Sequence, residues 1–126
     1  LTLEENLPSF KIFFNKKRQW LDVFLWDVHP NTFSNWGGGK WGYFISKGEN
    51  PRKGLLGEIH LVKSRVREDT VVHEIDHART EWMLRAGITI TRTNEEKMAT
   101  FLDELVRKFY REYRKEINVR SNRKRK

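Results

Sequence analysis

A chain of 126 residues, 37% hydrophobic and 33% charged with 5 Trp and 8 Phe, is long enough and apolar enough to form one domain with its own core. It has no Cys, which rules out disulfides, thiolate metal sites and a cysteine nucleophile, and which fits a reducing, cytoplasmic setting. No apolar run suits a transmembrane helix or a signal-peptide core, and Leu rather than Met at position 1 fits a trimmed or processed chain. Of the net charge of +8, +5 falls in residues 120–126, so 1–119 reads as a single domain and 120–126 as a flexible basic tail. Such a tail suits nucleic acid or an acidic partner, although no aromatic is interleaved in it for base stacking.

The chain opens with an acidic lead-in over residues 1–8. Phe10–Phe14 and Trp20–Val28 are rich in β-branched and aromatic residues and predict two strands joined as a hairpin, the second stopped at His29-Pro30. Trp36-Gly37-Gly38-Gly39-Lys40-Trp41 lacks any phosphate-loop pattern and reads as a connection. Strands are expected again at Trp41–Ser46 and Gly57–Val62.

From Arg67 the apolar period changes to that of a helix: Val71, Val72, Ile75, Ala78, Trp82 and Met83 recur at helical spacing, with Asp69 or Thr70 as cap and Gly87 as the stop. A second helix opens at Thr93-Asn94-Glu95-Glu96 and carries Met98, Phe101, Leu102, Leu105, Val106, Phe109 and Tyr113 as its stripe, ending near Glu116. Strands followed by two helices predict an α+β domain, a small antiparallel or mixed sheet of about four strands with two packed helices.

The first of these helices contains His73-Glu74-Ile75-Asp76-His77, of the form H-E-x-x-H. Four residues make just over one turn, so His73 and His77 face the same way and can share one Zn²⁺, with Glu74 beside them as general base for a metal-activated water. A hydrolytic zinc site needs a third protein donor, and no His or Cys follows the motif. Counting about 100° per residue from Met98, Glu95 falls near ~60°, at the edge of the apolar stripe, and Glu96 near ~160°, away from it. Glu95 is therefore the expected third ligand and Glu96 the alternative, the latter also suited to a capping box with Thr93. Asp76 departs from the uncharged residues usual inside such motifs.

A strand at residues 57–62, then H-E-x-x-H on a helix, then Glu95-Glu96-Lys97-Met98-Ala99 opening another helix, resembles a compact gluzincin-type zincin metallopeptidase. The likeness covers roughly residues 55–110 and is nearest the ImmA/IrrE regulatory peptidases, with SprT-like proteins more distant. An alignment on Ala99 implies Glu96 as ligand where helical geometry favours Glu95. The resemblance also implies that the 57–62 strand is an edge strand holding an extended peptide substrate through Gly57, Ile59, His60 and Leu61.

The expected activity is zinc-dependent hydrolysis of a peptide bond in a specific protein, with Glu74 as base and Tyr110 or Tyr113 as candidate oxyanion donors. The rival expectation is a non-catalytic zincin-like binding module that reaches nucleic acid through residues 120–126.

Overall fold

A computed structural model describes residues 7–14, 18–27, 41–46 and 54–124, with side chains as far as Val119. The acidic lead-in up to residue 6, the Gly37–Gly39 connection and the last two residues of the basic tail lie outside the described residues. Four strands, β1 (Ser9–Phe14), β2 (Gln19–Trp26), β3 (Gly42–Ser46) and β4 (Leu55–Val62), are followed by helices α1 (Glu68–Ala86) and α2 (Glu95–Lys124). The domain is α+β with a mixed sheet, as the order of patterns predicts.

β1 and β2 form the expected antiparallel hairpin, with Ile12 opposite Leu21 and Phe10 opposite Val23. The sheet order is β1-β2-β4-β3. β4 thus lies between β2, to which it is parallel, and β3, to which it is antiparallel. This corrects the expectation that residues 57–62 form an edge strand. All eight residues of β4 are buried, because a central strand is covered on both faces and has its backbone groups taken on both sides. Gly57 is required by that position: a Cβ there would lie 2.4 Å from the carbonyl oxygen of Ile45 on β3.

One face of the sheet carries Ile12, Phe14, Leu21, Val23, Leu25, Ile59 and Leu61, which pack against Val71, Ile75 and Ala78 of α1 and Leu105 and Phe109 of α2. Burying an aromatic or branched side chain of this kind contributes about 1.5–3 kcal/mol each, which fixes both helices on that face. The other face holds polar groups: Asp22, Glu58 and His60 are all buried. Lys11 Nζ donates to Asp22 Oδ1 at 2.8 Å across the hairpin.

α1 begins at Glu68 rather than at Asp69 or Thr70, with Glu68 and Asp69 in its first turn, where the helix dipole favours negative charge. It ends as expected. Gly87 takes the left-handed conformation (φ 70°), its N–H reaching Leu84 O while Ile88 N–H reaches Met83 O, the paired bonds of a Schellman stop. α2 follows a tight turn in which Asn94 accepts from Thr91 N–H (2.7 Å) and donates to Thr89 O (2.8 Å), while its own carbonyl accepts Met98 N–H. Asn94, not a Thr93–Glu96 capping box, therefore organises the start. α2 continues past Glu116 to Lys124, so the backbone of residues 120–124 is helical. No helix among the described residues is long and apolar enough to cross a membrane.

Candidate metal centre

The motif lies in the middle of α1 because Val71, Ile75 and Ala78 anchor one side of that helix in the core. At 100° per residue this leaves His73 and His77 on the solvent side, and both are exposed. Glu74, between the two directions, is buried at 4% exposure. The Nε2 atoms of His73 and His77 lie 3.2 Å apart, with the rings nearly perpendicular. Two nitrogens each ~2.05 Å from a tetrahedral zinc are about 3.3 Å apart, so the pair has the separation that one shared ion requires. His73, Glu74 and His77 form the group able to hold a metal ion, with one ligand atom of each within 4.8 Å of the others.

Burial pushes the Glu74 carboxyl above its ordinary range, and positive charge on His73 and His77 acts in the opposite direction. A carboxylate whose pKa is raised by burial is a better proton acceptor than an exposed one, because its protonated form is less disfavoured.

Glu95 and Glu96 are not part of this group. Both are exposed at the start of α2, and the group contains His73, Glu74 and His77 alone. Arg79 Nη1 donates to the Met98 carbonyl at 3.0 Å, which sets the level at which α1 and α2 cross. Glu95 is the first residue of α2, three before Met98, and its side chain is exposed there. The flank of α1 facing α2 carries Val72, Asp76 and Arg79, which share a cleft with Leu102 and His73. Helical spacing turns Glu95 toward the edge of the apolar stripe, whereas in the structure its side chain is exposed.

The same flank explains Asp76. It points toward α2 and pairs with Arg79 Nη2 at 2.6 Å, so the charge inside the motif serves the α1–α2 junction.

The remaining expected site residues are also elsewhere. His60 on β4 is fully buried, stacked between Phe24 (4.9 Å) and Tyr43 (4.6 Å). Trp26 Nε1–H donates to its Nδ1 at 2.9 Å, and its Nε2 lies 3.1 Å from Glu58 Oε1. Both ring nitrogens are committed, so His60 contacts neither metal nor substrate. Gly57, Ile59 and Leu61 are buried beside it in the central strand. Tyr110 lines a different cleft with Glu68, Arg107, Lys108, Arg111 and Arg114, and Tyr113 stacks on Phe109. Burial raises the hydroxyl pKa of both tyrosines, Glu68 and Asp69 adding to the effect at Tyr110. Neither lines the cleft that holds His73.

Two contacts missed at the sequence level bracket the motif. Gly42, at one end of β3, lies so close to α1 that a Cβ there would stand 3.2 Å from Thr70 Cγ2. At the other end Ser46 Oγ donates to Glu81 Oε1, and Glu81 also meets Arg85 at 3.6 Å. Thr70 and Glu81 occupy the same side of α1 as His77, so β3 runs beside the motif from end to end. The signal was present, because Glu81 follows His77 at the same four-residue interval by which His77 follows His73.

Compared with known proteins, the chain matches no family model, and no curated protein or solved structure is significantly similar to it.

Proposed function

We propose that this protein is a zinc-dependent peptidase with its centre on α1. The observation that carries the reading is the 3.2 Å approach of His73 Nε2 and His77 Nε2 above the buried carboxylate of Glu74. His73 and His77 are the residues that would hold the ion, with Glu95 or Glu96 of α2 as the expected third donor, and both imidazoles are exposed. Zinc bound there supplies Lewis-acid polarisation of a water and of the scissile carbonyl. Glu74 takes the proton from that water at its carboxylate and returns it to the leaving amine. β3 replaces β4 as the strand along which an extended substrate would lie. Among the described residues β3 pairs with β4 alone, and the Ser46–Glu81 bond ties it to α1 beside the motif, where an extended chain could add to the sheet.

Zinc content tests the ligands without a substrate. Protein loaded with zinc and then desalted should retain about one ion per chain as wild type and lose it as His73→Ala or His77→Ala. Equal zinc in all three would overturn the reading. Glu74→Gln separates two roles for the glutamate: retained zinc with lost hydrolysis of a peptide library identifies a base, whereas lost zinc identifies a ligand.

A further inference from the structure

The charge of this protein is concentrated in one half of one helix. Residues 107–126 contain ten Lys or Arg and two Glu, a net +8. Residues 1–106 contain fifteen of each sign and are neutral, so the second half of α2 with the last two residues carries the whole net charge. The first half of the same helix is acidic, with Glu95, Glu96, Asp103 and Glu104 against Lys97. Extending the helix through residue 124 therefore changes the meaning of the basic run. The cations begin at Arg107, well inside the folded body, on helical backbone that runs to Lys124.

Arg107, Arg111 and Arg114 follow one another at intervals of four and three, which puts them in a single row. All three are exposed. Among the described residues Arg107 and Arg114 have no hydrogen-bond or ion-pair partner, and Arg111 is paired only with its neighbour Glu112 at 3.2 Å. Glu68 and Glu104 line the same cleft as the row, but neither forms an ion pair with Arg107 or Arg114, and three cations in register repel each other. Tyr113 is the last residue of α2 that packs on the described core. Beyond it the described side chains 114–119 are exposed apart from the half-buried Glu116, and the helical backbone runs on to Lys124.

We propose that the second half of α2 binds duplex DNA, with the Arg107–Arg111–Arg114 row on the phosphates. A polyanion is the partner whose charge complements this surface. The row presents no exposed aromatic: Tyr110 is half-buried against Phe109, so the stacking that single strands require is missing. An α-helix about 10–12 Å across fits the ~12 Å major groove of B-form DNA, whereas the major groove of an A-form RNA duplex is too narrow to admit it. With the three arginines of the row committed to phosphates, binding is to the backbone and independent of sequence.

Fluorescence anisotropy with a labelled 20-base-pair duplex, on the full chain, tests this across a salt series. Wild type should bind in low salt and weaken steeply as salt rises. The triple variant Arg107→Glu, Arg111→Glu, Arg114→Glu should lose at least ~10-fold in affinity, and its log–log salt slope should shrink by about 3, at ~0.9 per phosphate contact. Circular dichroism and zinc content matching wild type confirm that the variant is folded, and the milder triple Arg→Gln variant serves if the charge reversal fails to fold. Failure of wild type to bind, undiminished binding by the folded variant, or equal affinity for a single strand would each overturn the proposal. Deleting residues 120–126 should leave measurable, weaker binding. Complete loss on that deletion with an unaffected triple variant would place the contact in the terminal residues and refute the row.

Discussion

Trp26 donates its indole N–H to Nδ1 of His60 across 2.9 Å, and that one bond determines what the histidine can be. An indole nitrogen can only donate, so Nδ1 is the acceptor and the ring proton rests on Nε2, facing Glu58. With Phe24 and Tyr43 stacked on its two sides, His60 is a structural residue of the sheet. His60→Ala should cost about 2–4 kcal/mol, from the cavity and from the donor and carboxylate left unpaired. Urea unfolding measures the loss, and zinc binding by the folded variant should be unchanged. A variant of wild-type stability with altered zinc affinity would restore a site role to His60.

Glu74 makes the stability of the metal-free protein depend on pH. Burial raises its folded pKa above the ordinary 4.5, so the folded state holds this proton more tightly than the unfolded chain does. The associated stability is fully present below the unfolded value and is lost as pH rises through the folded one. Glu74→Gln removes that loss. In urea titrations without metal, the variant should gain on wild type as pH rises from about 4.5 and then hold a constant advantage. An advantage that shrinks over the same range would contradict the burial of the carboxylate.

Arg79 joins two helices through Asp76 and the Met98 carbonyl. Arg79→Ala should destabilise by about 1–3 kcal/mol, because it leaves that carbonyl without its donor and the partly buried aspartate unpaired. Asp76→Asn keeps an acceptor for Arg79 and should cost about 1 kcal/mol or less. Both should keep their zinc, since neither side chain belongs to the His73–His77 group. Loss of metal on Asp76→Asn, with the fold intact, would move Asp76 into the centre.

Gly57→Ala tests the placement of β3. The added methyl meets the Ile45 carbonyl at 2.4 Å, so β3 must shift or separate from β4. The expected cost is about 1–3 kcal/mol, of the order seen on overpacking. Hydrogen exchange should show the loosening first at Tyr43–Ile45. Uniform exchange with unchanged stability would argue against the β3–β4 pairing.

Much of this architecture was legible in the sequence, and what was not had physical causes. The Gly87 stop could be read directly, since few other residues take the left-handed conformation that a Schellman motif needs. The helix stripes and the first hairpin were legible because period and proximity are local properties. Strand order was not. Residues 57–62 alternate in polarity, as a half-exposed strand does, yet they are buried on both faces because Glu58 and His60 find partners in each other and in Trp26. The site shows the same division. Spacing alone fixed the approach of His73 to His77, whereas which carboxylate of α2 stands nearest them depends on how two helices pack, a matter of tertiary contacts such as Arg79 to the Met98 carbonyl. The far end of α2 lies beyond Glu116 because the apolar stripe stops there while the helix does not, Arg and Lys being good helix formers.

The imidazoles lie outside the packed core while the glutamate lies within it, and this arrangement has a kinetic consequence. Metal can arrive at and leave His73 and His77 without any part of the sheet or of α1 opening. Removal by a chelator should therefore speed up in proportion to chelator concentration, with no plateau at the rate of unfolding. An ion bound there would leave at a rate set by its own ligands, and the folding stability of the domain would have no part in how long it stays.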